Sequence, residues 1–227
     1  MLFFSPEIPD GTWKLNEEES RHIKVLRLRE GETLSFTNGL GERVEVQLDK
    51  SDKHCVLTTL KRETVPSNNP MIHLFVAPTK NSDRIEWFVE KAVELGIRSI
   101  TFLMCEHSER VRMKPERIER VAVSAMKQSM QFTLPQLNFD IKFNEAWMQA
   151  PGKKLLAHCE GGEKIQLSTW KEKHESLSIF IGPEGDFSKN EIALANQEPA
   201  LSLGANRLRT ETAALKALVA AHEYFER

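Results

Sequence analysis

Apolar and polar positions alternate with period two in the first third of the chain. Leu34-Ser35-Phe36 and Val44-Glu45-Val46-Gln47-Leu48 both follow this pattern, which is that of half-buried strands. Between them Asn38-Gly39-Leu40-Gly41 is a turn signal, and Cys55-Val56-Leu57-Thr58-Thr59-Leu60 predicts a third strand. One helix interrupts the strands. Asn16-Glu17-Glu18-Glu19 reads as an Asn cap with Glu three residues later, and Ile23 and Leu26 supply its apolar positions. These features predict a small β-rich barrel with one helix. Val65-Pro66-Ser67-Asn68-Asn69-Pro70 is polar, carries two prolines and reads as a linker.

Beyond the linker the period switches back and forth. Ile72-His73-Leu74-Phe75-Val76-Ala77 predicts a buried strand. Ile85, Phe88, Val89, Ala92 and Val93 then form a helical stripe, with Gly96 just past its end. Ile100 to Met104 predicts a strand, and Ile118, Val121, Ala122, Ala125 and Met126 a second stripe behind a first-turn Pro115. Lys154–Cys159, Leu177–Ile181 and the short Leu201-Ser202-Leu203 are further expected strands. Ser188-Lys189-Asn190-Glu191 is a capping box, and a long helix is expected from Thr210. Such alternation predicts a mostly parallel sheet with helices on both faces, whose ligands bind outside the carboxyl ends of the strands.

Composition narrows the setting. Of 227 residues 40% are hydrophobic and 28% charged, as in a soluble globular protein. No apolar run approaches the roughly 18 residues of a membrane span. The start, Met1-Leu2-Phe3-Phe4-Ser5-Pro6-Glu7, lacks the basic and long apolar regions of a signal peptide. Three widely spaced cysteines, Cys55, Cys105 and Cys159, make neither a disulfide framework nor a zinc motif, so a cytoplasmic location and no metal site are expected. The net charge of −2 hides a basic stretch over residues 110–131: Arg110, Arg112, Lys114, Arg117, Arg120 and Lys127 against Glu116 and Glu119. It reads either as a phosphate-facing patch or as a solvated helix face.

The candidate chemistry lies in two loops at strand ends. Gly182-Pro183-Glu184-Gly185 leaves backbone groups open to a ligand, although alone it also suits an ordinary strand-to-helix turn. In the second loop Arg209 and Glu211 flank Thr210 where the last helix starts. A carboxylate is favoured at a helix start, whereas an arginine there calls for an anionic partner. The bland alternative is an Arg209–Glu211 surface pair. No P-loop, dinucleotide fingerprint, His-Glu-x-x-His or Gly-x-Ser-x-Gly motif occurs. His158 stands out among the histidines because it sits at a strand end, level with both loops.

These loops resemble a known family. Phe180-Ile181-Gly182-Pro183-Glu184-Gly185-Asp186-Phe187-Ser188, with Glu191-Ile192, and Leu203-Gly204 through Leu208-Arg209-Thr210-Glu211-Thr212-Ala213 look like the signature loops of the small-subunit ribosomal RNA methyltransferase E (RsmE) family, in the SPOUT class of trefoil-knotted methyltransferases. His22-Ile23-Lys24-Val25-Leu26-Arg27 resembles its His-Ile-x-x-Val-Leu-Arg element with one residue fewer. Lys91-Ala92-Val93-Glu94-Leu95-Gly96-Ile97 resembles its Lys-x-x-Glu-Leu-Gly-Val helix end, and Gln128-Ser129 with Leu134-Pro135 another element. Two departures occur: Met130-Gln131 stands where the family often has Gly-Arg, and Asn206 where it often has Arg.

The resemblance implies an RNA-binding PUA-like barrel over residues 1–65 and a knotted α/β methyltransferase domain over 71–227. It also implies a homodimer, S-adenosyl-L-methionine as donor, and methylation at N3 of a decoding-region uridine of 16S rRNA in the assembled small ribosomal subunit. Carried over by position, His158, Ile181, Gly182, Pro183, Glu184, Gly185, Leu203, Gly204, Leu208, Arg209 and Thr210 would hold the donor. Arg209 and Glu211 would serve catalysis. Arg27, Arg110, Arg112 and Lys114 would contact RNA. The alternatives are a related knotted methyltransferase acting on tRNA and an RNA-binding ribosome-assembly module with a vestigial donor site.

Overall fold

The computed structural model describes residues 1–109 and 113–227. Contacts divide the chain into two compact units: Met1–Asn68 with Val123–Leu134, and Asn69–Ala122 with Pro135–Arg227. Among the described residues no helix is long and apolar enough to cross a membrane.

The first unit contains β1 (Leu2–Phe4), β2 (Thr12–Lys14), α1 (Glu17–Val25), β3 (Thr33–Thr37), β4 (Glu42–Lys50) and β5 (Val56–Thr64). They make a sheet of order β1-β3-β4-β5-β2. β1 runs parallel to β3 and the other pairs are antiparallel. The period-two pattern holds: Val44, Val46 and Leu48 are fully buried, while Glu45 and Gln47 between them are not. Register shifts after Glu45 and Leu48 mark bulges, which strengthen the local twist and curl the sheet around Phe3, Phe36 and Ile23. Asn16 caps α1, its side chain accepting from Glu19 N. Segment 123–134 joins this unit at the glycine turn, where Leu134 N donates to Gly39 O and Gly41 N to Phe132 O. Gly39 has φ +76 and a Cβ there would meet Leu134 Cδ1 at 2.8 Å, so the contact requires glycine.

The second unit alternates strands and helices: β6 (Met71–Val76), α2 (Ser82–Glu94), β7 (Ser99–Met104), α3 (Pro115–Gln128), β8 (Gln136–Lys142), α4 (Phe143–Gln149), β9 (Lys153–Ala157), β10 (Ser176–Ile181), α5 (Lys189–Ala195) and α6 (Thr210–Phe225). From Val123 onward α3 groups with the first unit. The sheet order is β8-β7-β6-β10-β9, with every pair parallel. Both faces are covered, as a parallel sheet requires. One face carries Phe75, Leu103, Leu156 and Phe180, packed against Phe143 and Trp147 of α4 and Ala195 of α5. The opposite parity, with Leu74, Val76, Ile100, Phe102 and Ile179, is also buried. α6 lies against β6 and β10, and α2 against α6.

The capping box opens α5 as read from sequence, with Ser188 and Glu191 exchanging both bonds. Gly96 has φ +79 just past the C-cap Leu95. Leu201-Ser202-Leu203 does not form the expected strand. Isolated bridges stand there instead, Leu201 to Ile165 and, just before it, Ala200 to Leu156.

Candidate functional site: a cleft at the strand ends

β9 and β10 pair in parallel and end side by side at Ala157 and Ile181. The chain leaving them meets segment 201–210 around a cleft of about 840 Å³, to which the first turn of α6 also contributes Ala213. Pockets for small molecules fall in the range of roughly 300–1,000 Å³. The three segments are joined by hydrogen bonds. Thr210, 4% exposed, donates from Oγ1 to Gly182 O at 3.1 Å. Arg207 donates to Glu184 O at 3.2 Å. Cys159 N donates to Asp186 Oδ2 at 2.7 Å, and Lys164 Nζ to His158 O at 2.6 Å.

Gly182 packs closely under buried Phe187, and a Cβ there would lie 3.0 Å from its ring, so a side chain would have to push that ring aside. Asp186 takes φ +64 at the end of a turn closed by Asp186 N donating to Pro183 O, a conformation that Asp tolerates better than most residues. α6 begins at the cleft with Arg209 as its N-cap and no side-chain capping bond. Its first N–H groups therefore need other partners.

Cationic side chains from Arg84, Lys164, Arg207 and Arg209 line the cleft, with carboxylates from Glu184 and Asp186. Burial, assisted by the Lys164 ammonium, lowers the His158 pKa and favours a neutral ring. His158 Nδ1 is buried without a hydrogen-bond partner.

His158, Ile181, Gly182, Pro183, Glu184, Gly185, Leu203, Gly204, Leu208, Arg209 and Thr210 are thus brought around one space. Glu211 is not among the lining residues. It is 5% exposed and pairs with Arg84, whose Nε lies 3.8 Å from Glu211 Oε1. The partner of Glu211 is therefore Arg84, from the first turn of α2, in place of the surface pair with Arg209 weighed from sequence. Glu211 Oε2 is buried with no hydrogen-bond partner. Arg84, Lys164, Asp186 and Arg207 escaped the sequence reading as lining residues. Asp186 and Arg207 lie within the two loops singled out from sequence, and Arg84, like Arg209, is a cation placed unfavourably at a helix start.

The basic stretch is partly neutralised. Arg117 pairs with Glu86 at 2.6 Å and Asp83 at 3.7 Å, and Lys127 with Glu19 at 2.5 Å. Lys114 and, in the first unit, Arg27 are exposed, whereas Arg110 and Arg112 lie outside the described residues.

The sequence model of a family described as an RNA methyltransferase domain matches residues 66–222, more than half of the chain. This chain belongs to the RNA methyltransferase domain family. A second model, an RNA methyltransferase PUA domain, matches residues 15–60. The ribosomal RNA small subunit methyltransferase E of Bacillus subtilis (strain 168) is 26% identical over 227 residues, covering 92% of this chain and 89% of that protein. A solved structure of a probable rRNA-methyltransferase from Porphyromonas gingivalis superposes with TM-score 0.91 at 35% identity, covering 98% and 97% of the two chains. That of a ribosomal RNA small subunit methyltransferase E from Neisseria gonorrhoeae, bound to S-adenosyl methionine, gives 0.83 at 27%, covering 98% and 96%. The resemblance carried by the two signature loops is borne out by these relatives, and the chain is a methyltransferase.

Proposed function

We propose that this enzyme methylates N3 of a decoding-region uridine of 16S rRNA in the assembled small ribosomal subunit, using S-adenosyl-L-methionine. We read it as a cytoplasmic homodimer with an RNA-binding PUA-like domain over 1–65 and a trefoil-knotted catalytic domain over 71–227. The observation that carries the reading is the cleft at the ends of β9 and β10, closed by the bond from Thr210 to Gly182. Relatives named for small-subunit rRNA methylation, one of them solved with the donor bound, support it.

The residues present fit that donor. The cleft has room for it, and the unpartnered Nδ1 of a neutral His158 can bond a polar group of the ligand. Lys164 and Arg207, with the uncapped start of α6, suit the donor's carboxylate. Backbone groups of Ile181–Gly185 and of Leu203, Gly204 and Leu208 would hold its adenosine part. When bound, the donor supplies a methyl on positively charged sulfur, and the carbon–sulfur electron pair returns to sulfur as N3 bonds to carbon.

The chain supplies the rest. Uracil N3 must lose its proton, and Glu211 is our proton acceptor, reached through a bridging water because it lies behind the lining residues. Arg209, exposed at the cleft, stabilises the negative charge developing on the uracil oxygens. Arg27 and Lys114, with Arg110 and Arg112, contact the RNA backbone.

The test incubates the enzyme with methyl-labelled donor and small subunits from a strain lacking this modification, then maps the labelled base by mass spectrometry. N3-methyluridine in the decoding region is expected. Label on tRNA alone, or donor binding without transfer, would select one of the two alternatives instead.

A further inference from the structure

Glu211 presents an unusual situation for a carboxylate. It is 5% exposed, its Oε2 has no hydrogen-bond partner, and the cation beside it is Arg84 at 3.8 Å. A carboxylate taken out of water is costly unless a cation lies beside it, so the place of this side chain depends on its partner. Arg84 belongs to the first turn of α2 and lines the cleft, whereas Glu211 belongs to the first turn of α6 and does not. The packing of α2 on α6 brings the two helix starts together. A guanidinium at a helix start is opposed by the positive end of the helix dipole, so the anion that offsets this cost is Glu211.

We propose that Arg84 is a positioning residue for the methyl transfer. It pairs with Oε1 and holds the Glu211 carboxylate at the start of α6, behind the cleft wall, where it receives the N3 proton through a bridging water. This assignment rests on the proposed uridine chemistry and adds to it a side chain from another helix. Arg209 and Arg84 then divide the work, Arg209 facing the uracil oxygens and Arg84 facing Glu211.

Two measurements separate this role from a structural one. In single-turnover methylation of unmodified small subunits at saturating donor, Arg84→Met is expected to lose roughly 10²-fold in rate, the scale of a lost general base. Because Arg84 also borders the cleft, the variant's Kd for S-adenosylmethionine is measured alongside, and the loss in rate should exceed the change in Kd by at least about tenfold. Arg84→Lys, which keeps the charge, should recover most of the loss, and adding Glu211→Gln to Arg84→Met should cost little more. The second measurement is thermal unfolding of the donor-free protein in a cycle of Arg84→Met, Glu211→Gln and the double variant. Coupled sites are expected, with the double variant about 2–4 °C more stable than the sum of the singles predicts. Strictly additive midpoints, a loss residing wholly in donor Kd, or no recovery with lysine would each overturn the proposal. If wild-type enzyme modifies no uridine N3, the proposed function and the role of Arg84 in it fall together, while the unfolding cycle still decides whether the pair exists.

Discussion

The bond from Thr210 Oγ1 to Gly182 O is the shortest route to a test of the cleft, because it joins the two glycine-bearing loops directly. Thr210→Val removes the hydroxyl and keeps the shape, leaving a buried carbonyl without this donor. An unsatisfied buried acceptor costs about 1–3 kcal/mol. In a chain of this length each kcal/mol moves the unfolding midpoint by about 2–4 °C, so a fall on the order of 2–12 °C is expected by calorimetry. The bond also fixes loop spacing, so about 1.4 kcal/mol of the loss is expected in binding, and isothermal titration should show S-adenosylmethionine affinity down about tenfold. Thr210→Ser keeps the hydroxyl and should bind the donor nearly as wild type. A valine variant with wild-type midpoint and affinity would refute the claim that this bond holds the site together.

Other outcomes follow from the same structure. Ser188→Ala breaks the capping box of α5 and should cost about 1 kcal/mol in urea unfolding, with donor affinity unchanged. His73, His158 and His222 all have pKa values below their usual 6.5, chiefly because burial disfavours the charged ring. Below that value the unfolded chain binds protons that the folded chain resists. Their contribution is therefore complete above pH 6.5 and is lost as the pH falls from there through the lowered folded values. Urea midpoints measured from pH 7.5 to 5 should decline, and less so in His158→Gln. Arg27→Ala and Lys114→Ala should each reduce the salt dependence of subunit binding by about one phosphate contact, whereas Arg117→Ala, whose guanidinium is engaged by Glu86, should leave the slope unchanged.

The long periodic segments were legible from sequence because their burial is local in origin. The stripe Ile85–Val93 and the apolar run from Ile72 each specify a face or a strand without reference to the rest of the chain. β1 and β2 were not anticipated, since three residues carry little periodicity and their partners, Ser35 to Thr37 and Val56 to Thr58, are remote. β8 is an edge strand with no fully buried position and a positive φ at Asp140, so neither alternation nor a continuous apolar run marks it. α4 follows it with only seven residues, too short to display a stripe. In the site, glycine content and strand ends flagged both loops. The pairing of Arg84 with Glu211 depends on how α2 packs against α6, which no local pattern encodes.

The cleft also has a temporal meaning. Its walls come from Arg84 and from positions within 157–164, 181–186 and 201–210, with Ala213, and β6, the middle strand of the sheet, pairs with β10 across about a hundred residues of intervening chain. During synthesis β6 leaves the ribosome long before its neighbour exists, and the final wall emerges only with the last helix. A nascent chain thus carries no assembled cleft, which exists only after translation has passed α6 and the sheet has closed around its centre.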